Sequence, residues 1–319
     1  MTKIVVVDGY TLNPGDNPWT PLAELGTLEV YDRTAPEEIP TLAEHADILI
    51  TNKCAISGDV IERLPQLKFI AVTATGYNIV DVKAARQRNI PVSNVPEYAN
   101  QTVAQFTWAL ILELCHRVGL HAESVASGEW TRSPDFCYWK SPQIELAGKR
   151  LGLVGYGRIA RNVAAIGRAF GMQVLASGRP GSRAPIGEDI EWLSTDELFA
   201  TADVVSLHCP LTSETENMVN AQRLARMRRD AFLVNTSRGG LVVERDLADA
   251  LRDGTIAGAA VDVVSKEPIE GDNPLLSAPN CLITPHMAWC SLAARRRLMK
   301  TTADNVRAFL AGTPINVVN

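Results

Sequence analysis

RLGLVGYGRIA, residues 150–160, is the stretch that predicts the fold of this chain. A short apolar run at 151–154 ends in Gly-Tyr-Gly at 155–157, and a segment with helical spacing begins directly afterwards. This order predicts a strand, a tight turn and the start of a helix. It fits the dinucleotide-binding fingerprint, in which glycines let the backbone approach a pyrophosphate that is bound by amides at the helix N-terminus. Ala160 takes the third small position.

The glycines alone do not decide the function, because many strand-to-helix turns contain glycine for the turn itself. The rest of the chain supplies the context. Apolar runs that read as strands lie at 4–7, 28–31, 47–50, 69–72, 173–177, 203–208, 231–235, 256–261 and 281–283. Segments with helical spacing separate them, and this alternation predicts parallel sheets covered by helices.

We therefore predict an α/β protein with two doubly wound parallel-sheet domains, a Rossmann-type dinucleotide-binding domain and a smaller, flavodoxin-like domain. The apolar run 102–120 predicts one long helix after a hinge at 98–101. A helical segment at 291–310 follows the last strand, and we expect it to pack back on the first domain. The predicted domains are 1–99 with 292–319, which is discontinuous, and 100–291.

Composition excludes several classes of function. The formal net charge of -5 provides no broad basic surface for nucleic acid. No apolar stretch is long enough to cross a bilayer, and the run after MTK is too short for a signal peptide. The six cysteines show no CxxC pair or metal-ligand spacing, which favours reduced thiols and no metal site. We expect a cytoplasmic protein with a small-molecule ligand.

Three short strings follow predicted strands of the second domain: NTSRGG (235–240), DVVSKEP (262–268) and TPH (284–286). The carboxyl ends of parallel strands meet at one edge of a sheet, where ligand loops gather. Arg238, Glu267 and His286 are therefore expected to converge. Each alone fits an ordinary structural role, but together, beside a dinucleotide fold, they indicate a catalytic site.

Two further segments each allow two interpretations. The loop TATGYN at 73–78 follows a buried strand, and Gly76 would let backbone amides turn towards an anion, although a plain turn fits equally. The segment 127–143 is rich in aromatic residues, including Trp139, and has no regular period. Such a segment either covers a core or contacts a partner.

These motifs, in this order, resemble the D-isomer-specific 2-hydroxyacid dehydrogenase family. The resemblance covers nearly the whole chain, and the branch it resembles most is that of glycerate dehydrogenases and hydroxypyruvate reductases. It is carried by LKFIAVTATGYNIVD, LGLVGYGRIA, LHCPLT, NTSRGG, DVVSKEP and TPHMAW. It implies an NAD(P)-dependent enzyme that transfers a hydride between the cofactor and a small acid, hydroxypyruvate or glyoxylate in one direction and D-glycerate or glycolate in the other.

The resemblance also implies residue roles. Arg238 would hold the carboxylate and C2 oxygen of the substrate, His286 would exchange a proton with that oxygen, and Glu267 would favour the protonated imidazole. The first domain becomes the substrate-binding domain, with Thr75 and Gly76 at the substrate carboxylate. The residues implied to bind or line the cofactor site are Thr102, Gly155, Gly157, Arg158, Ile159, Ser177, Gly178, Arg179, His208, Thr236 and Asp262, with Asp262 at the nicotinamide carboxamide.

Trp139 matches a region that, in some hydroxypyruvate reductases, reaches across a dimer interface into the neighbouring active site. The resemblance therefore implies a homodimer in which Trp139 contributes to substrate binding. Relatives of this fold also include dinucleotide-sensing binding proteins without turnover, and dehydrogenases for other 2-hydroxy acids. The complete set of Arg238, Glu267 and His286 favours an enzyme over a sensor.

One departure concerns the cofactor. NAD-preferring sites place an acid after the second strand to bind the adenosine ribose, whereas here the strand 173–177 is followed by Gly178 and Arg179. No carboxylate would repel a 2′-phosphate, and Arg179 would attract one. We therefore expect NADP(H) to be used at least as well as NAD(H); the alternative is an exposed Arg179 beside a small turn.

Overall fold

The computed structural model describes residues 1–179, 181–182 and 188–319. Its strands are β1 (Lys3–Val6), β2 (Thr27–Val30), β3 (Ile48–Thr51), β4 (Phe69–Val72), β5 (Val92–Ser93), β6 (Arg150–Val154), β7 (Gln173–Ser177), β8 (Glu191–Trp192), β9 (Val204–Leu207), β10 (Phe232–Asn235), β11 (Gly258–Val261) and β12 (Cys281–Ile283). Its α-helices are α1 (Thr20–Ala23), α2 (Ile39–Leu42), α3 (Gly58–Glu62), α4 (Val82–Gln87), α5 (Asn100–His116), α6 (Val118–Ala126), α7 (Arg158–Ala169), α8 (Thr195–Thr201), α9 (Ala221–Leu224), α10 (Glu244–Arg252) and α11 (Leu292–Leu310). None of these helices combines the length and apolar character that a membrane span requires.

The chain divides into two compact units, one formed by Met1–Ala99 with Trp289–Asn319 and the other by Asn100–Ala288. The return to the first unit thus begins before the predicted residue 292. Trp289 explains the difference, because its ring packs edge-on against Tyr98 of the same unit, with centroids 6.2 Å apart.

The first unit is built on a five-stranded sheet with the order β2-β1-β3-β4-β5. Every neighbouring pair in it is parallel. The central strands β3 and β4 are buried along their whole length, as expected for apolar strands covered by helices on both faces. The terminal helix α11 packs on this sheet, where Phe309 stacks on Phe69 at 4.5 Å between ring centroids.

The second unit contains a seven-stranded parallel sheet with the order β12-β11-β10-β9-β6-β7-β8. Strand β6 pairs with β7 on one side and β9 on the other, so the strand order reverses direction there. In doubly wound folds this switch point is where ligands bind, beyond the carboxyl ends of the strands. The predicted fold class, two doubly wound parallel-sheet domains, is confirmed.

The prediction of one helix over 102–120 is wrong. The segment forms α5 and α6, which are separated at Arg117, whose φ of 49° lies in the left-handed region. The Arg117 guanidinium donates a hydrogen bond to Asn280 Oδ1 at 2.8 Å, a contact that helps to fix the break. Neither glycine nor proline marks this position, so the apolar pattern gave no sign of it.

Candidate active site

The glycine turn after β6 has the geometry that the fingerprint requires. Gly155 adopts φ of +87°, and a Cβ at this position would lie 2.8 Å from the backbone nitrogen of Cys209 and 2.9 Å from the carbonyl carbon of His208. Only glycine therefore fits there. A Cβ on Gly157 would meet no described atom within 4 Å, so the backbone is open on that side. Ala160 is fully buried where the helix packs against the sheet.

The N-terminus of α7 is suited to an anion. Its N-cap is Gly157, which has no side chain to cap the first turn. The first turn contains Arg158 and Ile159 and no acid, and Arg161 pairs with Glu188 at 3.3 Å. Because amides and the positive end of the helix dipole point outwards here, a pyrophosphate would be bound as in other Rossmann-type domains. These residues fit a dinucleotide.

At the end of β7, where NAD-preferring sites carry an acid, a side chain at position 178 would require its neighbours to shift. A Cβ on Gly178 would lie 2.8 Å from Cζ2 of Trp192. Ser177 is buried, and its Oγ accepts a hydrogen bond from Thr195 Oγ1 at 3.4 Å, so this hydroxyl faces α8. Arg179 is exposed.

Three of the residues predicted to bind or line the cofactor site, His208, Thr236 and Thr102, lie in the second unit. His208 follows β9 and lies 2.9 Å from Ser206 Oγ through its Nε2, and desolvation lowers its pKa to about 4. The imidazole is therefore neutral at physiological pH. Thr236 follows β10, and its hydroxyl lies 3.0 Å from that of Thr107. Thr102 lies in the first turn of α5.

The loop after β10 presents Arg238. Asn235 is fully buried at the end of the strand, where its Nδ2 donates to the Arg238 carbonyl at 2.9 Å and its Oδ1 accepts from the Ser237 amide at 3.0 Å. The Ser237 hydroxyl in turn donates to the Cys209 carbonyl at 2.7 Å. These bonds fix the backbone of the loop, whereas the Arg238 side chain is exposed.

His286 and Glu267, on the loops after β12 and β11, form a close pair. Nδ1 of His286 lies 2.6 Å from Oε2 of Glu267, and the two side chains are 26% and 35% exposed. Oε1 of Glu267 accepts a hydrogen bond from the Val264 amide at 3.3 Å. A carboxylate at this distance fixes the ring orientation and leaves Nε2 as the ring nitrogen directed away from the acid.

Asp262 holds the turn that carries His286. Its carboxylate accepts hydrogen bonds from Thr284 Oγ1 at 2.6 Å, the Met287 amide at 2.9 Å and the Ala288 amide at 2.8 Å. Its carbonyl accepts from the His286 amide at 2.8 Å. His286 has φ of 51°, a left-handed conformation that is unfavourable for a non-glycine residue unless its surroundings hold it. Burial raises the pKa of Asp262 against the opposing effect of these hydrogen bonds.

The first unit carries Thr75 and Gly76 on the loop after β4. The Thr75 hydroxyl donates to the Val95 carbonyl at 2.8 Å, and the Thr75 carbonyl accepts from Asn94 Nδ2 at 2.8 Å. The loop is thus tied to the segment that follows β5. The Thr75 residue itself is exposed, and Gly76 is partly exposed.

Trp139 lies on the aromatic segment of the second unit and is 69% exposed. The segment is held by hydrogen bonds: the Trp130 indole donates to the Phe136 carbonyl at 3.0 Å, and the Tyr138 hydroxyl lies 2.7 Å from the hydroxyl of Ser124 on α6. Phe136 is 88% exposed. The segment therefore has an ordered fold that presents large apolar side chains to solvent.

Two polar residues that organise these loops were not singled out from the sequence. Asn235 belongs to the quoted NTSRGG string, and a polar side chain at the end of an all-apolar strand was an available signal. Glu244 is the second; it accepts hydrogen bonds from the loop that carries Glu267. Its position at the start of a surface helix gave no sequence signal for that contact.

Comparison with known proteins identifies the family of this chain. The sequence profile described as D-isomer specific 2-hydroxyacid dehydrogenase, NAD binding domain, matches residues 108–288. The chain is 48% identical to a hydroxypyruvate reductase of Blautia hydrogenotrophica, with 99% of each chain covered. It belongs to the D-isomer-specific 2-hydroxyacid dehydrogenase family. A glycerate dehydrogenase of Methylorubrum extorquens is 42% identical, with 90% of each chain covered.

Solved structures of similar fold include the TT0316 protein of Thermus thermophilus, with a TM-score of 0.86 and 36% identity, and an acyclic imino acid reductase in complex with NADPH and D-Arg, with a TM-score of 0.84 and 29% identity. Each of these matches covers 100% of both chains. The predictions of the family and of an NAD(P)-dependent D-2-hydroxyacid dehydrogenase are confirmed. Its cofactor is a nicotinamide dinucleotide.

Proposed function

We propose that this dehydrogenase reduces hydroxypyruvate or glyoxylate, and in the reverse direction oxidises D-glycerate or glycolate. The observation that carries the proposal is the pair of His286 and Glu267, 2.6 Å apart, on the loops after β12 and β11, which continue the sheet from β10, the strand that leads to Arg238. The names of the relatives, hydroxypyruvate reductase and glycerate dehydrogenase, support the substrate class.

The proposed roles follow from the chemistry of the three side chains. Arg238 would hold the substrate carboxylate and C2 oxygen, since a guanidinium offers paired donors and stays charged. Nε2 of His286 would donate a proton to the C2 oxygen, while Glu267 keeps the ring protonated and oriented. The bound cofactor would supply the hydride. In the oxidation direction His286 would take the proton back.

The remaining predicted positions complete the proposed site. Gly155, Gly157, Arg158 and Ile159 would bind the pyrophosphate at the N-terminus of α7. The positions proposed for the rest of the cofactor are Thr102, Ser177, Gly178, Arg179, His208, Thr236 and Asp262. The first unit would be the substrate-binding domain, with Thr75 and Gly76 at the substrate carboxylate.

We expect the enzyme to use NADPH at least as efficiently as NADH. A side chain at Gly178 would crowd the Trp192 ring, and the exposed Arg179 is a cation next to it that would attract a 2′-phosphate. Replacing Arg179 with serine should lower kcat/KM for NADPH by about tenfold or more, the value of a hydrogen bond to a charged group, and spare NADH. The measurement is kcat/KM with both cofactors for glyoxylate, hydroxypyruvate, pyruvate and bulkier 2-keto acids.

Arg245→Ser is the matched control, because Arg245 is an exposed arginine of the same unit that pairs with Asp249 on α10. It should leave both cofactor efficiencies unchanged. A clear NADH preference in the unmodified enzyme would overturn the cofactor proposal. Highest efficiency with bulkier acids would overturn the substrate proposal.

We also propose a homodimer in which Trp139 contributes to the partner's substrate site. The exposed apolar side chains of the aromatic segment support an interface. Light scattering coupled to size exclusion should report a dimer, and Trp139→Ala should change KM for the keto acid more than KM for the cofactor. A fully active monomer would refute this arrangement.

The proposed location is the cytoplasm. All six cysteines are free thiols, and Cys137 is exposed. Exposed free thiols are typical of proteins in reducing compartments.

A further inference from the structure

Glu244 binds the loop that carries Glu267. It is the first residue of α10, and its carboxylate accepts hydrogen bonds from the Ser265 amide at 2.6 Å, the Ser265 hydroxyl at 2.8 Å and Asn273 Nδ2 at 2.9 Å. All of these partners are donors. A carboxylate suits them because both of its oxygens accept, whereas an amide would place a donor against donors.

The loop that carries Glu267 also packs against the loop that carries Arg238. A Cβ on Gly239 would lie 1.9 Å from the carbonyl carbon of Val264 and 2.4 Å from the Ser265 nitrogen. The peptide between Val264 and Ser265 is therefore in backbone contact with Gly239. Glu244 and Gly239 together leave this peptide little freedom to move.

Glu267 is hydrogen-bonded to Val264, one of the two residues that this peptide joins. The Val264 amide donates to Oε1 of Glu267, whose other oxygen contacts His286 Nδ1. Two bonds of Glu244 hold Ser265, the residue after Val264. A displacement of the peptide would thus be transmitted to the acid that orients the imidazole.

We propose that Glu244 is a positioning residue, which holds the loop of Glu267 at the distance where its carboxylate pairs with His286. This inference rests on the proposed roles of His286 and Glu267. Glu244 acts through Ser265 and Val264, and it does not touch the substrate. Its loss loosens the pair, so the neutral imidazole is favoured and less of the enzyme carries the proton that reduction needs.

The pH dependence of kcat also reflects the charged groups near the pair of His286 and Glu267. Glu267 contacts His286 directly, and Asp262, which holds the same turn, is a second acid that interacts with His286 electrostatically. On the Glu267 loop, Lys266 forms an ion pair with Glu270 that is exposed to solvent. Replacing Glu244 changes the loop but leaves Glu267, Asp262, Lys266 and Glu270 in the chain.

The test compares Glu244→Ala and Glu244→Gln with Glu267→Gln as the reference and Glu197→Ala as the control. Glu197 is a matched acid in the first turn of α8, where it accepts hydrogen bonds from the amide and hydroxyl of Ser194. For each folded variant, kcat and KM for reduction are measured from neutral to alkaline pH. Glu244→Gln serves if Glu244→Ala does not fold.

For Glu244→Ala we expect kcat to fall by about tenfold to a hundredfold, the order of effect of a small misplacement of catalytic groups. KM for the cofactor should stay unchanged. The alkaline limb of the profile of kcat against pH should move to lower pH, in the same direction as in Glu267→Gln. Glu197→Ala should change neither kcat nor the limb.

Two results would overturn the inference, and they are distinguishable. If Glu267→Gln shifts the limb and the Glu244 variants do not, Glu244 is structural only, and the proposed function stands. If Glu267→Gln itself leaves the limb in place, the proposed role of the pair fails and the inference fails with it.

Discussion

His286→Ala is expected to lower kcat for keto-acid reduction by about 10²- to 10⁴-fold, the usual contribution of general acid catalysis. The variant lacks the only ring paired with Glu267 at 2.6 Å among the described residues. Cofactor affinity should be unchanged, because the proposed pyrophosphate site lies at the N-terminus of α7 and does not involve this side chain. Steady-state kinetics and fluorescence titration with NADPH measure the two quantities separately.

His116→Ala is the control for this prediction. His116 ends α5, and its Nδ1 lies 3.3 Å from Gln143 Oε1, a contact with no proposed part in turnover. The control should keep its kcat. Undiminished turnover in His286→Ala would refute the assignment of the general acid, whereas parallel losses of turnover and cofactor affinity would indicate a damaged fold.

Arg238→Lys is expected to lower kcat/KM for the keto acid by about 10- to 10²-fold, the value of one lost hydrogen bond to a charged group. Lysine keeps the charge but loses the planar pair of donors that would bind the carboxylate and C2 oxygen together. The loop should keep its shape, because Asn235 binds its backbone and not the guanidinium. The measurement is kcat/KM for hydroxypyruvate at saturating cofactor.

Arg245→Lys provides the comparison, since this exposed arginine keeps its ion pair with Asp249 in either form. It should retain full efficiency. If Arg238→Lys does the same, a single charge suffices at this position and the proposed two-point binding is wrong.

The fold could be predicted because its signals are local. Strands such as β4, which is buried throughout, appear in the sequence as continuous apolar runs, and β7 and β12 have the predicted bounds. The short strands β5 and β8 were missed, because two residues give no periodic pattern. The break at Arg117 was missed because no local breaker specifies it.

The loops that form the candidate site could be predicted from the sequence. Parallel strands bring their carboxyl ends to one edge, so the order of the motifs was enough to place the loops of Arg238, Glu267 and His286 at the same edge of the sheet. Two of the contacts that fix those loops were not predictable, because they join residues distant in sequence. Asp262 binds the turn of His286, and Glu244 binds the loop of Glu267, through contacts that only the fold creates.

The claim that this chain reduces a small 2-keto acid to the D-hydroxy acid is tested most directly by chiral analysis of the product formed from hydroxypyruvate and NADPH. We predict stoichiometric oxidation of NADPH with D-glycerate as the product. L-glycerate or a racemic product would contradict the claim. Binding of NADPH without turnover of any acid in the panel would contradict it as well, and would favour a dinucleotide sensor.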